Sequence, residues 1–144
     1  MYEARHKPQL IQTMTPATAP PSRKEVAKIV KALARNKATG PDNISAEALQ
    51  AGGETAVNMM HALITHIWTS KNVPAELGEA TIVLLPKNAR RPKEPSLQRP
   101  ISLTNIWFKV LDKALTERLS SHIEDTKFLA EPQYGFRKNR STAD

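Results

Sequence analysis

Apolar residues recur at helical spacing along much of this chain, and that spacing predicts most of its secondary structure. The first stripe occupies positions i, i+3, i+4 and i+7 and consists of Val26, Ile29, Val30 and Leu33. Such a stripe forms one face of an amphipathic helix. Ser22 and Glu25 form a capping box that predicts where this helix begins. Because Pro41 lacks a backbone donor and disfavours helical geometry at Gly40, the helix is expected to end at that pair.

Two more helices are predicted before the middle of the chain. Ser45 can cap a short helix over residues 46–51. Gly52 and Gly53 then end it, because consecutive glycines favour a break after a helix. A longer helix follows from residue 54 to about residue 71. Its apolar side consists of Val57, Met60, Ile64, Ile67 and Trp68.

The second half of the chain combines a strand with a last helix. Residues 81–85 (TIVLL) are rich in β-branched types and precede a proline, which predicts a short buried strand. Residues 88–98 are polar and contain proline, so we expect a loop there. Ser102 or Thr104 can cap the final helix. The apolar stripe of that helix consists of Phe108, Leu111, Leu115, Leu119 and Ile123. Together these elements predict an α+β fold in which helices dominate.

The N-terminal segment differs in composition from the rest of the chain. Residues 1–21 lack an apolar period and are rich in Pro, Thr, Ala and Gln, which predicts a flexible leader ahead of a folded domain of residues 22–144. No apolar run approaches the ~18 residues of a membrane span, so no membrane partner is expected. The absence of cysteine excludes disulfides and thiolate zinc sites. We expect an intracellular protein, with nucleus and cytoplasm both open.

Positive charge is in excess and is clustered. The chain has 21 Lys and Arg against 14 Asp and Glu, a formal net charge of +7, which favours association with polyanions. The basic residues fall in three groups: Arg23, Lys24, Lys28, Lys31, Arg35 and Lys37; Lys87, Arg90, Arg91, Lys93 and Arg99; and Arg137, Lys138 and Arg140. Any one group could be a solvated surface. Three together favour nucleic acid as the partner, ahead of an anionic membrane.

Two of these cations stand where a phosphate could be bound. Lys87 directly follows the predicted strand, at the point where the backbone leaves the core. Arg99 precedes Pro100, which stiffens the backbone, and its forked donors suit a pair of phosphate oxygens. Together the two side chains could hold a triphosphate. The alternative is that Lys87 is a solvated strand end and that Arg99 pairs with a carboxylate.

Other kinds of site find little support in the sequence. His61 and His66 are five positions apart, a spacing that does not place two metal ligands on one helix face. Neither a Gly-x-Ser-x-Gly elbow nor a phosphate-binding Gly-x-x-x-x-Gly-Lys loop occurs, which argues against esterase and P-loop functions. Asp42 is an isolated acid in the sequence. Histidine and carboxylate chemistry is therefore not predicted.

Four segments of the chain stand out by their order and spacing. They are residues 37–44 (KATGPDNI), 82–87 (IVLLPK), 99–103 (RPISL) and 133–142 (QYGFRKNRST). In register they resemble the fingers region of non-long-terminal-repeat, LINE-type reverse transcriptases. The helices between them are similar to that family's intervening helices, and the resemblance extends from about residue 21 to residue 144.

The resemblance implies a fold, partners and site residues. It implies the fingers subdomain of a right-hand polymerase, truncated before the palm, in an enzyme that copies RNA into DNA from a primer. By this likeness Lys87 and Arg99 would contact the phosphates of an incoming deoxynucleoside triphosphate. The residues expected to line an RNA or DNA primer-template are Gly40, Pro41, Asp42, Gln133, Gly135, Phe136, Arg137 and Arg140. Core packing for Phe136 and a simple turn for Gly135 remain open as alternatives.

The resemblance also implies where the chemistry resides. The family's reaction uses two magnesium ions held by palm aspartates, and no Asp-Asp pair occurs in this sequence. We therefore expect no cofactor in this chain and no polymerase activity from it alone. The prediction is a truncated reverse transcriptase region of a mobile element that binds nucleic acid or nucleotide phosphates. The alternative is a non-catalytic helical module, derived from a decayed element, that binds a protein partner.

Overall fold

A computed structural model of the protein describes residues 19–87, 97–126, 128, 129, 133–135, 137 and 140. Within them the fold is mixed, with helices and one two-stranded antiparallel sheet, and this confirms the α+β prediction. The elements in chain order are α1 (Arg23–Lys31), α2 (Ala46–Ala51), α3 (Gly53–Ser70), a short 3₁₀ helix (Ala75–Gly78), β1 (Ala80–Pro86), β2 (Gln98–Thr104) and α4 (Ile106–Asp125).

The hydrophobic core lies among the four α-helices. Helix α1 packs against α2, α3 and α4, so it is the central element of this body. Met60 of α3, Val26 of α1 and Val110 of α4 are completely buried where the helices meet. Burying side chains of this size is the main source of stability in a domain built from so few elements. None of the helices that the structure describes is both long and apolar enough to cross a membrane.

Helix α1 begins as predicted but ends earlier than predicted. The Ser22 hydroxyl accepts from the Glu25 N–H, and the Glu25 carboxylate accepts from the Ser22 N–H at 2.7 Å, so the capping box is confirmed. The helix stops at Lys31 and does not continue to Gly40. Gln50 of α2 bonds this helix end, because its amide donates to the carbonyl oxygens of Val30, Lys31 and Leu33. These carbonyls would have accepted from the next helical turn.

Helices α2 and α3 match their predictions. The Ser45 hydroxyl accepts from the Ala48 N–H at 3.1 Å and so caps α2. The chain then changes direction at Gly53, whose φ of 53° lies in the left-handed region that glycine adopts easily. The predicted apolar side of α3 faces the core and contributes the buried residues Val57, Met60, Ile64 and Ile67.

The prediction for α4 was wrong in its start and in part of its buried face, since Leu111 of the predicted stripe is buried but other members are not. Residues 98–104 form strand β2, so Asn105, rather than Ser102 or Thr104, precedes the helix. The core face consists of Ile106, Val110, Leu111 and Ala114. Leu115 and Leu119 of the predicted stripe are 46% and 47% exposed. The helix carries two apolar stripes about a third of a turn apart, and contacts from other elements decide which of them is buried.

Strands β1 and β2 form a ribbon that projects from the helical body. The strand over residues 81–85 is confirmed, but its predicted burial is wrong, because every residue of β1 is exposed. Strand β2 was not predicted, since Gln98 was assigned to a loop and Ser102 or Thr104 to a helix cap. The strands pair with each other and make few contacts with the helices. The apolar run therefore indicated a strand but did not indicate whether the faces of that strand are buried or exposed.

Candidate nucleic-acid interface

The structure places Lys87 and Arg99 side by side at one end of the ribbon. Arg99 pairs with Leu85 across the sheet, and the Lys87 N–H donates to the carbonyl of Leu97 at 2.6 Å. Because side chains alternate between the faces of a strand, Leu85, Lys87 and Arg99 share one face. Lys87 and Arg99 are diagonal neighbours, a relation in which Cα atoms are typically ~7–8 Å apart. Both residues are exposed.

The surface around these two cations is apolar. Val83, Leu85 and Ile101 lie on the same ribbon face by register and are 37%, 50% and 40% exposed. Pro100 lies opposite Leu84 and belongs to the other face of the ribbon. In an antiparallel ladder hydrogen-bonded pairs alternate with pairs that exchange no backbone hydrogen bond, and Pro100 falls in a pair of the second kind, so the sheet loses no bond to its missing donor. This face can therefore offer cations to phosphate oxygens and apolar side chains to a sugar or base.

Gly40 lies in close contact with the backbone where β2 passes into α4. A methyl group at its Cα would come within 2.4 Å of the Thr104 carbonyl oxygen and 2.7 Å of the Asn105 nitrogen. Real Cβ atoms essentially never approach other atoms so closely, so only glycine fits this position. Gly40 is buried, whereas the adjacent Pro41 is exposed. The loop that contains Gly40 and Pro41 therefore packs tightly against the start of α4.

Asp42 fastens the same loop by hydrogen bonds. Its carboxylate accepts from the Ile106 N–H at 2.7 Å and from the Ile44 N–H at 3.3 Å. Its own N–H donates to the side-chain oxygen of Asn105 at 3.0 Å, and the Asn105 amide donates to the Glu76 carbonyl at 2.6 Å. Asp42 thus satisfies a first-turn N–H of α4 from a distant part of the chain, where a negative charge is also favoured by the helix dipole.

The predicted residues near the C-terminus form a second cluster. Arg137 makes a bidentate ion pair with Glu124 at the end of α4, with N–O distances of 2.8 and 2.7 Å. It also donates to the Gln133 carbonyl, and the Gln133 amide donates to the Gly135 carbonyl at 3.1 Å. The Arg140 guanidinium lies 5.7 Å from the centre of the Tyr134 ring. Phe136 lies outside the described residues.

The ion pair gives Arg137 a positioning role. Its side chain is only 5% exposed, and its hydrogen bonds to Glu124 lower the pKa of that carboxyl below its ordinary value. Both branches of the fork are directed at the carboxylate. Arg137 therefore attaches its own position to the end of α4, and its hydrogen bond to the Gln133 carbonyl brings that residue to the same place.

The basic residues of the first cluster divide into two kinds. Arg23 bonds to Asn58 at 2.7 Å and forms an ion pair with Glu54, and Arg35 bonds to Gln50 at 2.9 Å. Arg23 therefore joins α1 to α3, and Arg35 joins the segment after α1 to α2. The lysines of α1 are instead exposed: Lys24, Lys28 and Lys31. The positive surface of α1 is therefore made by its lysines.

The structure adds residues that the sequence did not single out. Asn105 is buried and joins Asp42 to Glu76, and Lys109 lies one turn into α4 near the loop that contains Lys37. No sequence signal marked either, because each gains its role from segments far away in the chain. Among the described residues no group of three or more His, Asp or Glu side chains could hold a metal ion. These residues therefore do not fit a two-magnesium centre, and we assign no catalytic step to them.

Comparison with known proteins identifies similar sequences among mobile-element polymerases. Over 120 residues the chain is 26% identical to the probable RNA-directed DNA polymerase from transposon BS and 29% identical to that from transposon X-element, both of Drosophila melanogaster. It is 22% identical to the RNA-directed DNA polymerase from the mobile element jockey of the same fly. Each alignment covers 83% of this chain but 13% of the relative. No family model matches.

Proposed function

We propose that this chain is the fingers region of an RNA-directed DNA polymerase of a non-LTR retrotransposon, because it is similar in sequence to such enzymes, as its four sequence segments predicted. In this proposal the ribbon face with Lys87 and Arg99 binds phosphates, both those of the incoming deoxynucleoside triphosphate and those of the adjoining primer-template strand. In the same proposal an RNA or DNA primer-template runs past the loop of residues 40–42 and past the other residues that the resemblance assigns to it: Gln133, Gly135, Phe136, Arg137 and Arg140. The observation that supports this most directly is the pairing register, which gives Lys87 and Arg99 one face.

The chemistry of the two side chains suits a polyphosphate. A guanidinium presents a planar fork that matches two phosphate oxygens, whereas an ammonium acts as a compact charge that can approach a neighbouring phosphate. Cations at these positions would neutralise charge that develops on the phosphates during phosphoryl transfer. The apolar neighbours Val83 and Ile101 would lie beside the sugar or base.

We place the catalytic metal ions outside the described residues. Magnesium, when bound by closely spaced carboxylates in a polymerase, activates the attacking oxygen and stabilises the leaving phosphate. The described residues of this chain would bind and orient phosphates without performing that step.

The alternative of a helical protein-interaction module is not favoured. It would account for the exposed Leu115 and Leu119 of α4, which could contact a protein partner. The sequence relatives, however, are polymerases, and the positively charged ribbon face has no role in an apolar interface. The two functions differ in the salt dependence of binding, because phosphate contacts weaken as salt rises.

Replacing both Lys87 and Arg99 with alanine is expected to weaken binding of a fluorescein-labelled RNA–DNA primer-template roughly tenfold or more at low salt. The reason is that charge-assisted hydrogen bonds contribute about 1.5–3 kcal/mol each when made well. Fluorescence anisotropy measures the change. Competition by an unlabelled deoxynucleoside triphosphate against the wild-type complex tests the nucleotide part.

The matched control replaces Lys71 and Lys113 with alanine. These exposed lysines lie at the end of α3 and in α4, so the double variant has the same net charge as the ribbon variant. We expect it to bind within about twofold of wild type. Equal losses in the two variants would show that only net charge matters and would contradict the assignment of Lys87 and Arg99.

A further inference from the structure

A small pocket opens between the segment after α1, the start of α2 and the first turn of α4. It encloses about 150 Å³, room for several water molecules. Its walls are mainly apolar and include Leu33, Ile44 and Ile106. Lys37 and Lys109 also line it. The pocket therefore combines an apolar interior with two cations.

The two lysines are available to a ligand. Neither side chain forms a hydrogen bond or ion pair with any residue in the described part of the chain. No Asp or Glu lines the pocket. Two acids that adjoin the lining residues in sequence are engaged elsewhere: Asp42 accepts from the Ile106 N–H, and Glu47 accepts from the Asn36 N–H.

The charge arrangement around Lys109 is unusual for a helix. A lysine one turn from a helix N-terminus lies near the positive end of the helix dipole, where a cation is disfavoured. Asp42 offsets one positive charge there, but Lys37 lines the same pocket and adds a second cation. An anion at the mouth of the pocket would relieve the repulsion between the two ammonium groups.

The shape of the pocket favours a ligand with both an anionic and an apolar part. Ala34 and Ala38 line one side, and their small side chains leave the interior open. A nucleotide has a planar, largely apolar base joined through a sugar to a phosphate, so its base can enter while its phosphate stays at the rim. Entry requires a base that is unstacked and unpaired, as in a single strand.

We propose that this pocket binds one nucleotide of a single-stranded nucleic acid, with the base between the apolar walls and the phosphate between Lys37 and Lys109. The inference rests on the proposed function in taking nucleic acid as the partner, but it concerns a different site. Arg99 precedes Thr104 by five residues of extended strand, about 17 Å, and Thr104 adjoins the start of α4. One strand can therefore contact both sites.

The test measures binding of a fluorescein-labelled 12-nucleotide single-stranded RNA and of a duplex of the same length. Lys37→Gln with Lys109→Gln should weaken single-strand binding roughly tenfold and make its salt dependence shallower by about one to two units of slope. The matched control, Lys71→Gln with Lys113→Gln, removes two charges from exposed positions at the end of α3 and in α4. We expect its affinity to stay within about twofold of wild type.

A second variant tests the pocket without changing charge. Ala38 is exposed and lines the pocket, so Ala38→Leu fills the interior without disturbing the core. It should weaken single-strand binding several-fold and leave duplex binding unchanged. Normal single-strand binding by Ala38→Leu, or equal losses in the two lysine pairs, would overturn the inference.

The outcomes also separate this inference from the proposed function. If the pocket variants bind normally while Lys87→Ala with Arg99→Ala loses affinity for the primer-template, the pocket inference is wrong and the proposed function stands. If the pocket variants lose single-strand binding while the ribbon variant binds primer-template normally, the pocket is supported and the ribbon assignment fails.

Discussion

Replacing Gly40 with alanine is expected to destabilise this protein by about 3 kcal/mol, the largest effect of any change considered for the loop that it occupies. A Cβ at this position would lie 2.4 Å from the Thr104 oxygen and 2.5 Å from the Thr104 carbonyl carbon. Both are backbone atoms, which cannot rotate away as a flexible side chain could. The loop would have to separate from the start of α4, with loss of the hydrogen bonds of Asp42. Overpacking of this kind typically costs about 1–3 kcal/mol before hydrogen bonds are lost.

Urea unfolding followed by the fluorescence of Trp68 and Trp107 measures this change. Gly78→Ala is the matched control, because nothing lies within 4 Å of a Cβ built there and Gly78 occupies the 3₁₀ helix on the other side of Asn105. We expect its stability to stay within about 0.5 kcal/mol of wild type. Equal stabilities for the Gly40→Ala variant and wild type would show that the loop is not packed as described.

Replacing Arg118 with alanine is expected to destabilise the protein by about 2–3 kcal/mol. Arg118 pairs with both carboxylate oxygens of Glu25 at 3.1 Å, and its guanidinium lies 5.4 Å from the centre of the Trp68 ring. It also donates to the carbonyls of Ala19 and Pro20. One side chain thus joins α4 to α1, to α3 and to the segment before α1. Charge-assisted hydrogen bonds and a cation–π contact together account for a loss of this size.

The pH dependence of this variant distinguishes the ion pair from simple packing. Burial raises the pKa of Glu25, but hydrogen bonds from Ser22 and the charge of Arg118 outweigh it and lower the pKa below its ordinary value. A carboxyl with a lowered pKa stabilises the fold above its unfolded pKa, and this stabilisation is lost as the pH falls through the folded value. The cost of Arg118→Ala should therefore be smaller in acid than at neutral pH.

Lys113→Ala serves as the control for this experiment. Lys113 lies on the same helix and faces Glu117 at 3.9 Å, with a half-exposed side chain. Exposed pairs of this kind contribute little, so we expect a change below about 0.5 kcal/mol. A loss for Arg118→Ala as small as that of the control, or one that does not vary with pH, would contradict the role assigned to Arg118.

Local signals in the sequence were sufficient for the first helices. The capping box of Ser22 and Glu25, the Ser45 cap and the glycines after α2 act within a few residues, so their effects could be predicted without knowledge of the fold. The apolar residues of α3 also form a single stripe, so only one face of that helix could be the buried one. Elements whose ends are set by neighbouring residues are therefore well predicted in this chain.

The errors share a physical cause, which is contact between distant segments. Gln50 of α2 bonds the carbonyls where α1 ends, and Arg118 joins α4 to Glu25 and Trp68, while Leu115 and Leu119 lie outside these contacts and are exposed. The exposure of β1 had no local signal either, because an apolar run predicts a strand whether or not its faces are covered. Helix ends and buried faces of this kind depend on contacts between segments, so they cannot be predicted from one segment alone.

The candidate site was predicted in part. The sequence identified Lys87 and Arg99 by the chemistry of their side chains, and only the register showed that they share a face. Asp42 was an isolated acid in the sequence, whereas in the structure it caps α4. Arg137 was expected along the template and is held by Glu124. Composition and motif therefore located the charged residues, but partners across the fold determine what each charge can contact.

The salt dependence of primer-template binding tests the central claim most directly, because the claim is that this chain binds phosphates through Lys87 and Arg99. Plotted as the logarithm of affinity against the logarithm of salt concentration, wild type should fall with a slope of about −2 or steeper. The variant lacking both cations should give a slope shallower by about two units. A flat dependence for wild type, or the same slope for both proteins, would contradict the claim.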